Sequence, residues 1–328
     1  MSLGVSFDDP QLEERVRHGV DAVERLLAEA VDSPDPFVAE ASAHLVNAGG
    51  KRFRPLLVVL AAQLGDPDHP DVVPSAVVVE LTHLATLYHD DVMDEAPLRR
   101  GAPSANDRWG NSLAILVGDY LFAQASLLVA TLGPEAVRIQ AETFARLVRG
   151  QIRETIGPAD GEDPLEHYLG VVADKTGSLI ATSARFGARA SGAGEHVEAA
   201  LTEFGERIGV AFQLSDDVLD IASDSDDSGK TPGTDLREGV PTLPTLLARR
   251  GTDPADAALR EHLSGPIEDD AVVEEVLAAL RVHPAMAEAR ALVQAEADAA
   301  RALLADLPDV PARHALEALC DSLATRMV

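Results

Sequence analysis

The stretch His89-Asp90-Asp91-Val92-Met93-Asp94 decides the reading of this chain. It closes an apolar run, Val77 to Met93, with the composition of a buried helix. A helix repeats about every 3.6 residues, so Asp90 and Asp94 share a face, one turn apart. Like charges that close in an apolar setting repel, and take up protons unless a cation sits between them. A divalent metal with oxygen ligands is the simplest such cation, and Mg2+ suits carboxylates that share it with a phosphate. A solvated helix face is the plain alternative for one such motif.

The motif recurs as Asp216-Asp217-Val218-Leu219-Asp220, again among apolar residues (Val210, Ala211, Phe212, Leu214, Ile221). Two carboxylate sets on two helices are suited to hold several metal ions and an oxygen-rich anion between them. The cations tell a matching story. Of 27 basic residues only Lys51, Lys175 and Lys230 are lysine. Each sits in a glycine-containing segment: Gly49-Gly50-Lys51-Arg52-Phe53-Arg54-Pro55, Lys175-Thr176-Gly177 and Gly229-Lys230-Thr231-Pro232-Gly233. An ammonium is a compact phosphate contact. In an acidic chain a local basic cluster is what a polyanionic ligand needs.

The chain has 328 residues, 46% of them hydrophobic and 4% aromatic, which supports a full core and favours helices over β-sandwiches. A net charge of −28 argues against nucleic acid or an anionic membrane as partner. Cys320 is the only cysteine, so no intrachain disulfide forms, and a reducing, cytoplasmic setting fits. The acidic N-terminal stretch (Asp8, Asp9, Glu13, Glu14) lacks a signal-peptide pattern. Leu113 to Leu132 approaches membrane length but carries Asp119, Tyr120 and Gln124, which predicts a buried or subunit-interface helix and no transmembrane segment.

Helical periodicity is nearly continuous. It predicts helices over 11–30 (Leu12, Val16, Val20, Val23 and Leu27 on one face), 37–47, 55–64, 75–94, 112–131, 134–156 and 164–189, the last kinked at Lys175-Thr176-Gly177. Further helices follow over 195–222, 242–250, 254–263, 270–281, 287–307 and 312–326. Residues 97–109 and the Asp- and Gly-rich stretch 223–239 read as loops. No strand and no linker stands out, so a single all-α domain over residues 1–328 is expected.

With these segments in order, the chain resembles the trans-isoprenyl diphosphate synthases, the polyprenyl synthetase family, of the geranylgeranyl or longer polyprenyl type. The resemblance rests on GGKRFRP (49–55), HLATLYHDDVMDEAPLRRG (83–101), GDYL (118–121), KTGSL (175–179), FQLSDDVLD (212–220) and GKTPGTDLREG (229–239). It implies an isoprenoid synthase-type antiparallel helix bundle around a deep central cavity, usually a homodimer. It implies Mg2+, three per active site, with Mn2+ as a substitute. Asp90, Asp94 and Asp216 are assigned to the metal, with Asp91, Asp217 and Asp220 in support. Arg99, Lys175, Thr176, Gln213 and Lys230 fall to the allylic diphosphate, and Lys51, Arg54, His83 and Arg100 to isopentenyl diphosphate. Asp90, Asp94, Lys175, Asp216 and Lys230 would be the catalytic set. Many relatives carry a lysine where this chain has Val240, which leaves the allylic side one cation poorer.

The chemistry agrees with those roles. A diphosphate leaves only if fixed cations meet its developing charge. The alkene of isopentenyl diphosphate then attacks the allylic cation and a proton is lost, with no protein nucleophile required. A dry cavity walled by residues such as Leu81, Leu84 and Leu87 keeps water from quenching the cation. Ala85 and Thr86, one turn before Asp90, are small, so the path for a growing tail is expected to be open there, giving products of C20 or longer. The alternative is a class I terpene cyclase. Such enzymes usually carry an Asn/Ser/Glu triad at the second motif, and they have no use for GGKRFRP.

Overall fold

The computed structural model describes residues 7–223 and 232–325. In chain order the helices are α1 (Pro10–Ala30), α2 (Pro36–Asn47), α3 (Phe53–Ala62), α4 (Val72–Met93), α5 (Ala105–Trp109), α6 (Asn111–Thr131), α7 (Pro134–Ile156) and α8 (Pro164–Val172). They continue as α9 (Ser178–Ala190), α10 (Glu195–Ala222), α11 (Thr234–Glu238), α12 (Leu243–Arg250), α13 (Ala257–His262), α14 (Asp270–Val282), α15 (Pro284–Leu303) and α16 (Pro311–Thr325). A π-helical turn, Ala173–Gly177, joins α8 to α9, and a 3-10 turn, Pro254–Asp256, precedes α13. Several starts share one device. Asp9, Asp35 and Asp163 accept backbone N–H groups of the first turn, and the following proline opens the helix. Proline suits that position because its missing N–H has no helical partner there anyway.

The chain sorts into two compact units, each assembled from three stretches. The first comprises 1–145, 179–205 and 306–318; the second comprises 146–178, 206–305 and 319–328. In the first, α4 packs along α6, α3 and α1, and every side chain from Ser75 to Thr82 is buried. The predicted face of α1 (Leu12, Val16, Val20, Val23, Leu27) is buried throughout. Each such side chain contributes about 1.5–3 kcal/mol relative to exposure. Gly118 lets α6 approach α4, because a Cβ there would collide with the His89 ring. In the second unit, α12 is buried from Leu243 to Ala248 and packs against α8, α14 and α15.

Three expectations need correcting. The 97–109 stretch is not plain loop: Leu98–Arg99 (β1) pairs antiparallel with Ala102–Pro103 (β2), and α5 follows. Two-residue strands are too short to carry an alternating pattern. In 223–239, residues 234–238 form α11, while 224–231 lie outside the described residues. The helix expected from 287 starts at Pro284, capped by the His283 side chain, and ends at Leu303.

Candidate active site

α4 carries the first aspartate motif at its C-terminal end, with Asp94 as its cap. Asp90 is half-buried and Asp94 exposed, one turn apart on one face. Asp91 is fully buried and takes a hydrogen bond from Arg99 Nε at 2.5 Å. Burial pushes the Asp91 carboxyl up, and the Arg99 guanidinium pulls against it. Arg99 reaches Asp91 from the β1–β2 hairpin. His89, beside Asp90, lies 3.2 Å from the Ile115 carbonyl and 3.4 Å from Asp119.

A cation cluster adjoins the same helix. Glu80 of α4 is 1% exposed and meets Arg52 Nη1 at 2.9 Å, with Arg100 Nη2 at 3.9 Å. Arg100 projects from the hairpin and donates to the Leu45 and Gly49 carbonyls at the end of α2. Gly50, at φ 144°, gives it room: a Cβ there would stand 2.8 Å from the Arg100 guanidinium carbon. Burial first, then the charge of Arg100, brings Arg54 down to about 10, still a cation at neutral pH, with Glu80 opposing. The buried Arg54 Nε has no hydrogen-bond partner. Burial, followed by Arg54, Arg100, Arg99 and Arg52, holds His83 well below the usual imidazole range, so it is neutral. Lys51 is exposed beside this group. A buried donor without an acceptor is costly, and a ligand anion is the natural acceptor here.

In the second unit, α10 presents Asp216 and Asp220, both half-buried, at one-turn spacing. Asp217 between them is buried. Its Oδ1 accepts from Gln213 at 3.1 Å, and its Oδ2 accepts the Leu243 N–H at 3.0 Å and the Tyr168 hydroxyl. Burial pushes Asp217 up to about 6, against those three hydrogen bonds. The Tyr168 hydroxyl is pushed far above its usual value by burial and then by the Asp217 charge. Thr176 donates to Gln213 at 3.3 Å, so Thr176, Gln213 and Asp217 form one chain. Lys175 meets Glu154 at 2.5 Å. Both Lys175 and Thr176 lie in the π-helical turn, whose Asp174 is held by Arg146 and Arg149. Such turns within helices often mark functional sites. Lys230 lies outside the described residues. Val240 is 39% exposed.

The donors suit Mg2+. Among the described residues no three His, Cys, Asp or Glu side chains form a metal cage by themselves. Mg2+ does not demand one: it is usually held by one or two carboxylates, waters and substrate phosphates. Asp90 with Asp94, and Asp216 with Asp220, offer such carboxylate pairs at one-turn spacing.

One turn before Asp90, Ala85 is 1% exposed and its carbonyl faces Gly118, while Thr86 keeps accessible surface. One turn from Gly118, Phe122 stacks on Phe144 at 3.9 Å between centroids. One turn from Phe144, Gln140 donates to the buried Thr82 at 2.5 Å.

The sequence reading missed Arg52, Glu80, Glu24, Glu154 and Tyr168. Glu80 had a signal, a lone carboxylate in an apolar helix three residues before His83, and Arg52 lies inside the basic segment 49–55; Glu24, Glu154 and Tyr168 had none, since their partners are distant in sequence.

The model of the polyprenyl synthetase family matches residues 35–280, and the chain belongs to that family. It is 54% identical over 324 residues to the nonaprenyl diphosphate synthase of Mycobacterium tuberculosis, covering 98% of this chain and 97% of that protein. A solved structure of a Corynebacterium glutamicum geranylgeranyl pyrophosphate synthase, complexed with calcium and isoprenyl diphosphate, is similar with a TM-score of 0.89 and 46% identity, over 98% of this chain and 99% of the other. A decaprenyl diphosphate synthase from Rhodobacter capsulatus is similar with a TM-score of 0.86 and 35% identity, over 97% and 99% of the two chains.

Proposed function

We propose that this protein condenses isopentenyl diphosphate with an allylic diphosphate, head to tail and in trans, giving a polyprenyl diphosphate of C20 or longer plus diphosphate. The observation that carries this reading is on α4. One helix bears an accessible carboxylate pair, Asp90 and Asp94, and ten residues earlier the acid that gathers Arg52 and Arg100 around an unpartnered Arg54 Nε. Carboxylates for a metal-bound diphosphate and cations for a second anion are what a two-diphosphate reaction needs. A cyclase has only one diphosphate to hold.

Asp90, Asp94, Asp216 and Asp220 would hold Mg2+, which when bound supplies positive charge for the departing diphosphate. Asp91 orients Arg99, and Asp217 ties Gln213 to α12. Lys175 and Thr176, with Arg99 and Gln213, bind the allylic diphosphate. Lys51, Arg54 and Arg100 bind the isopentenyl diphosphate, with neutral His83 as a hydrogen-bonding partner. The alkene attacks the allylic carbon as its bond to diphosphate breaks, and the proton passes to the released diphosphate. Leu81 and Leu84 are fully buried and keep that wall dry. The tail passes Thr86, and the Phe122–Phe144 pair is its floor.

We assign the outer face of α6 to a second copy of the chain. α6 is long and apolar enough to cross a membrane, yet only 33% of its apolar window is buried. Leu116 is 60% exposed and Leu127 66%. Asp119 and Gln124 on the same helix suit a protein interface better than lipid. A cytoplasmic setting accords with the single, buried Cys320.

The deciding assay incubates the protein with isopentenyl diphosphate, Mg2+ and a C10 or C15 allylic primer, and reads the products by mass spectrometry. Linear diphosphates of C20 or longer are expected. Cyclic hydrocarbons, or growth that ends at C15, would overturn the reading.

A further inference from the structure

Helix α1 precedes residues 35–280, the part of the chain that matches the family. One of its side chains nevertheless reaches the cation cluster. Glu24 accepts Arg52 Nε at 2.5 Å on one carboxylate oxygen and Arg52 Nη2 at 3.3 Å on the other. Arg52 Nη1 goes to Glu80 at 2.9 Å, and Nη2 also donates to the Val46 carbonyl at 3.0 Å. All three guanidinium nitrogens are thus committed to protein acceptors. Arg54, two residues on, has its Nε uncommitted. Within Lys51-Arg52-Phe53-Arg54, the middle arginine is locked inward and the flanking cations are left for a ligand.

The backbone sharpens the point. Arg52 sits at φ 49°, in the left-handed region, immediately before α3. A side chain with a Cβ adopts that conformation only when its surroundings over-determine it. The two-pronged bond to Glu24, the ion pair with Glu80 and the bond to Val46 supply that determination. Lys51 and Arg54 therefore take their directions from a residue pinned by α1.

We propose that Glu24 is a positioning residue for the isopentenyl diphosphate site: it fixes Arg52 and so aims Lys51 and Arg54 at the diphosphate. The proposal rests on the assignment of that anion to this cluster. Glu24 itself does not touch the substrate. Its loss should leave α1 in place, because Leu12, Val16, Val20, Val23 and Leu27 anchor the helix through their own burial.

The test measures KM for both substrates, kcat and Tm in Glu24→Ala, Glu24→Gln, Arg52→Lys and, as reference, Lys51→Ala. Glu24→Ala should raise KM for isopentenyl diphosphate about tenfold, the scale of one charged hydrogen bond. KM for the allylic primer and kcat at saturation should stay within about twofold of wild type. Glu24→Gln keeps one acceptor and should rise less. Arg52→Lys lacks the fork and should behave like Glu24→Ala. A merely structural role would lower Tm and move both KM values together, and that result overturns the proposal. So does an unchanged KM in Glu24→Ala when Lys51→Ala raises it. If Lys51→Ala itself leaves that KM unchanged, the assignment of the cluster falls and the proposal with it.

Discussion

Asp91 and Asp217 occupy the second position of their motifs, and both are buried against partners while their neighbours keep solvent access. The chemistry of the two kinds of aspartate should separate on mutation. Asp90→Ala or Asp216→Ala should lower turnover by ~10^3, comparable to removing a major electrostatic stabiliser, and excess chelator should abolish activity. Asp91→Asn should act through Arg99 and raise KM for the primer more than the Mg2+ requirement. A titration of rate against Mg2+ tells them apart; equal shifts in the Mg2+ half-saturation for Asp90→Ala and Asp91→Asn would contradict the division. Apolar patterning does not distinguish the two positions, because both are Asp in an apolar helix; only the family resemblance set Asp91 and Asp217 apart, as supporting residues. The distinction lies in Arg99 and Tyr168, which only folding brings near.

His83 offers a second residue-scale test. Its folded pKa is depressed below the ordinary value of 6.5. Folding therefore disfavours its protonation, and the stability this contributes is fully present above about pH 6.5. It is lost as pH falls from there toward the depressed folded value. His83→Gln should flatten that part of the acid profile in thermal denaturation, and parallel profiles for the two proteins would refute it.

At the scale of elements, the proposed assignment gives α3 and the hairpin to one anion and the π-helical turn to the other. Lys51→Ala and Arg54→Ala should raise KM for isopentenyl diphosphate well above any effect on the primer, and Lys175→Ala should do the reverse. Initial rates with each substrate varied in turn decide it; identical effects in all three variants would sink the assignment. The tail path is testable on α4 and α6. Thr86 keeps accessible surface, so Thr86→Phe should place a ring in the path and shorten the product, and Phe122→Ala should lengthen it. Ala85 is a poorer site for that test, because it is packed against α6. Mass spectrometry of the products is the check, and unchanged lengths in both variants would remove the ring pair as floor. The long helices were legible because their apolar repeats run for several turns. The hairpin, α5 and α11 were not, because the hairpin's strands are two residues each, the helices five, and all are held by distant contacts. His44, for example, fixes the Pro103 carbonyl at 2.8 Å. The interruption expected at Lys175-Thr176-Gly177 from its glycine falls on a π-helical turn. α7 lies close against that turn: a Cβ on Gly150 would stand 2.8 Å from the Lys175 nitrogen.

For the whole molecule, the exposed apolar face of α6 is the feature with the largest consequence for assembly. Leu116→Arg should convert a dimer to monomer, read as a halved mass in sedimentation velocity, since a charge in an apolar interface is left without a partner. A wild type that sediments as a monomer would dispose of the assignment. Sequence alone showed α6 as an apolar stretch interrupted by Asp119 and Gln124; which of its faces is left bare depends on how α4 and α5 cover the other.

The three lysines lead elsewhere. Lys51 is exposed, Lys175 lies in the π-helical turn, and with Lys230 they are the only ε-amines in the chain. An amine-directed acylating reagent therefore finds, apart from the α-amino terminus, only positions assigned to diphosphate. Routine dye labelling or coupling to a resin through lysine would poison the protein. The same scarcity makes a reporter of it: bound diphosphate should shield those amines, so the extent of acylation would register occupancy without any assay of turnover.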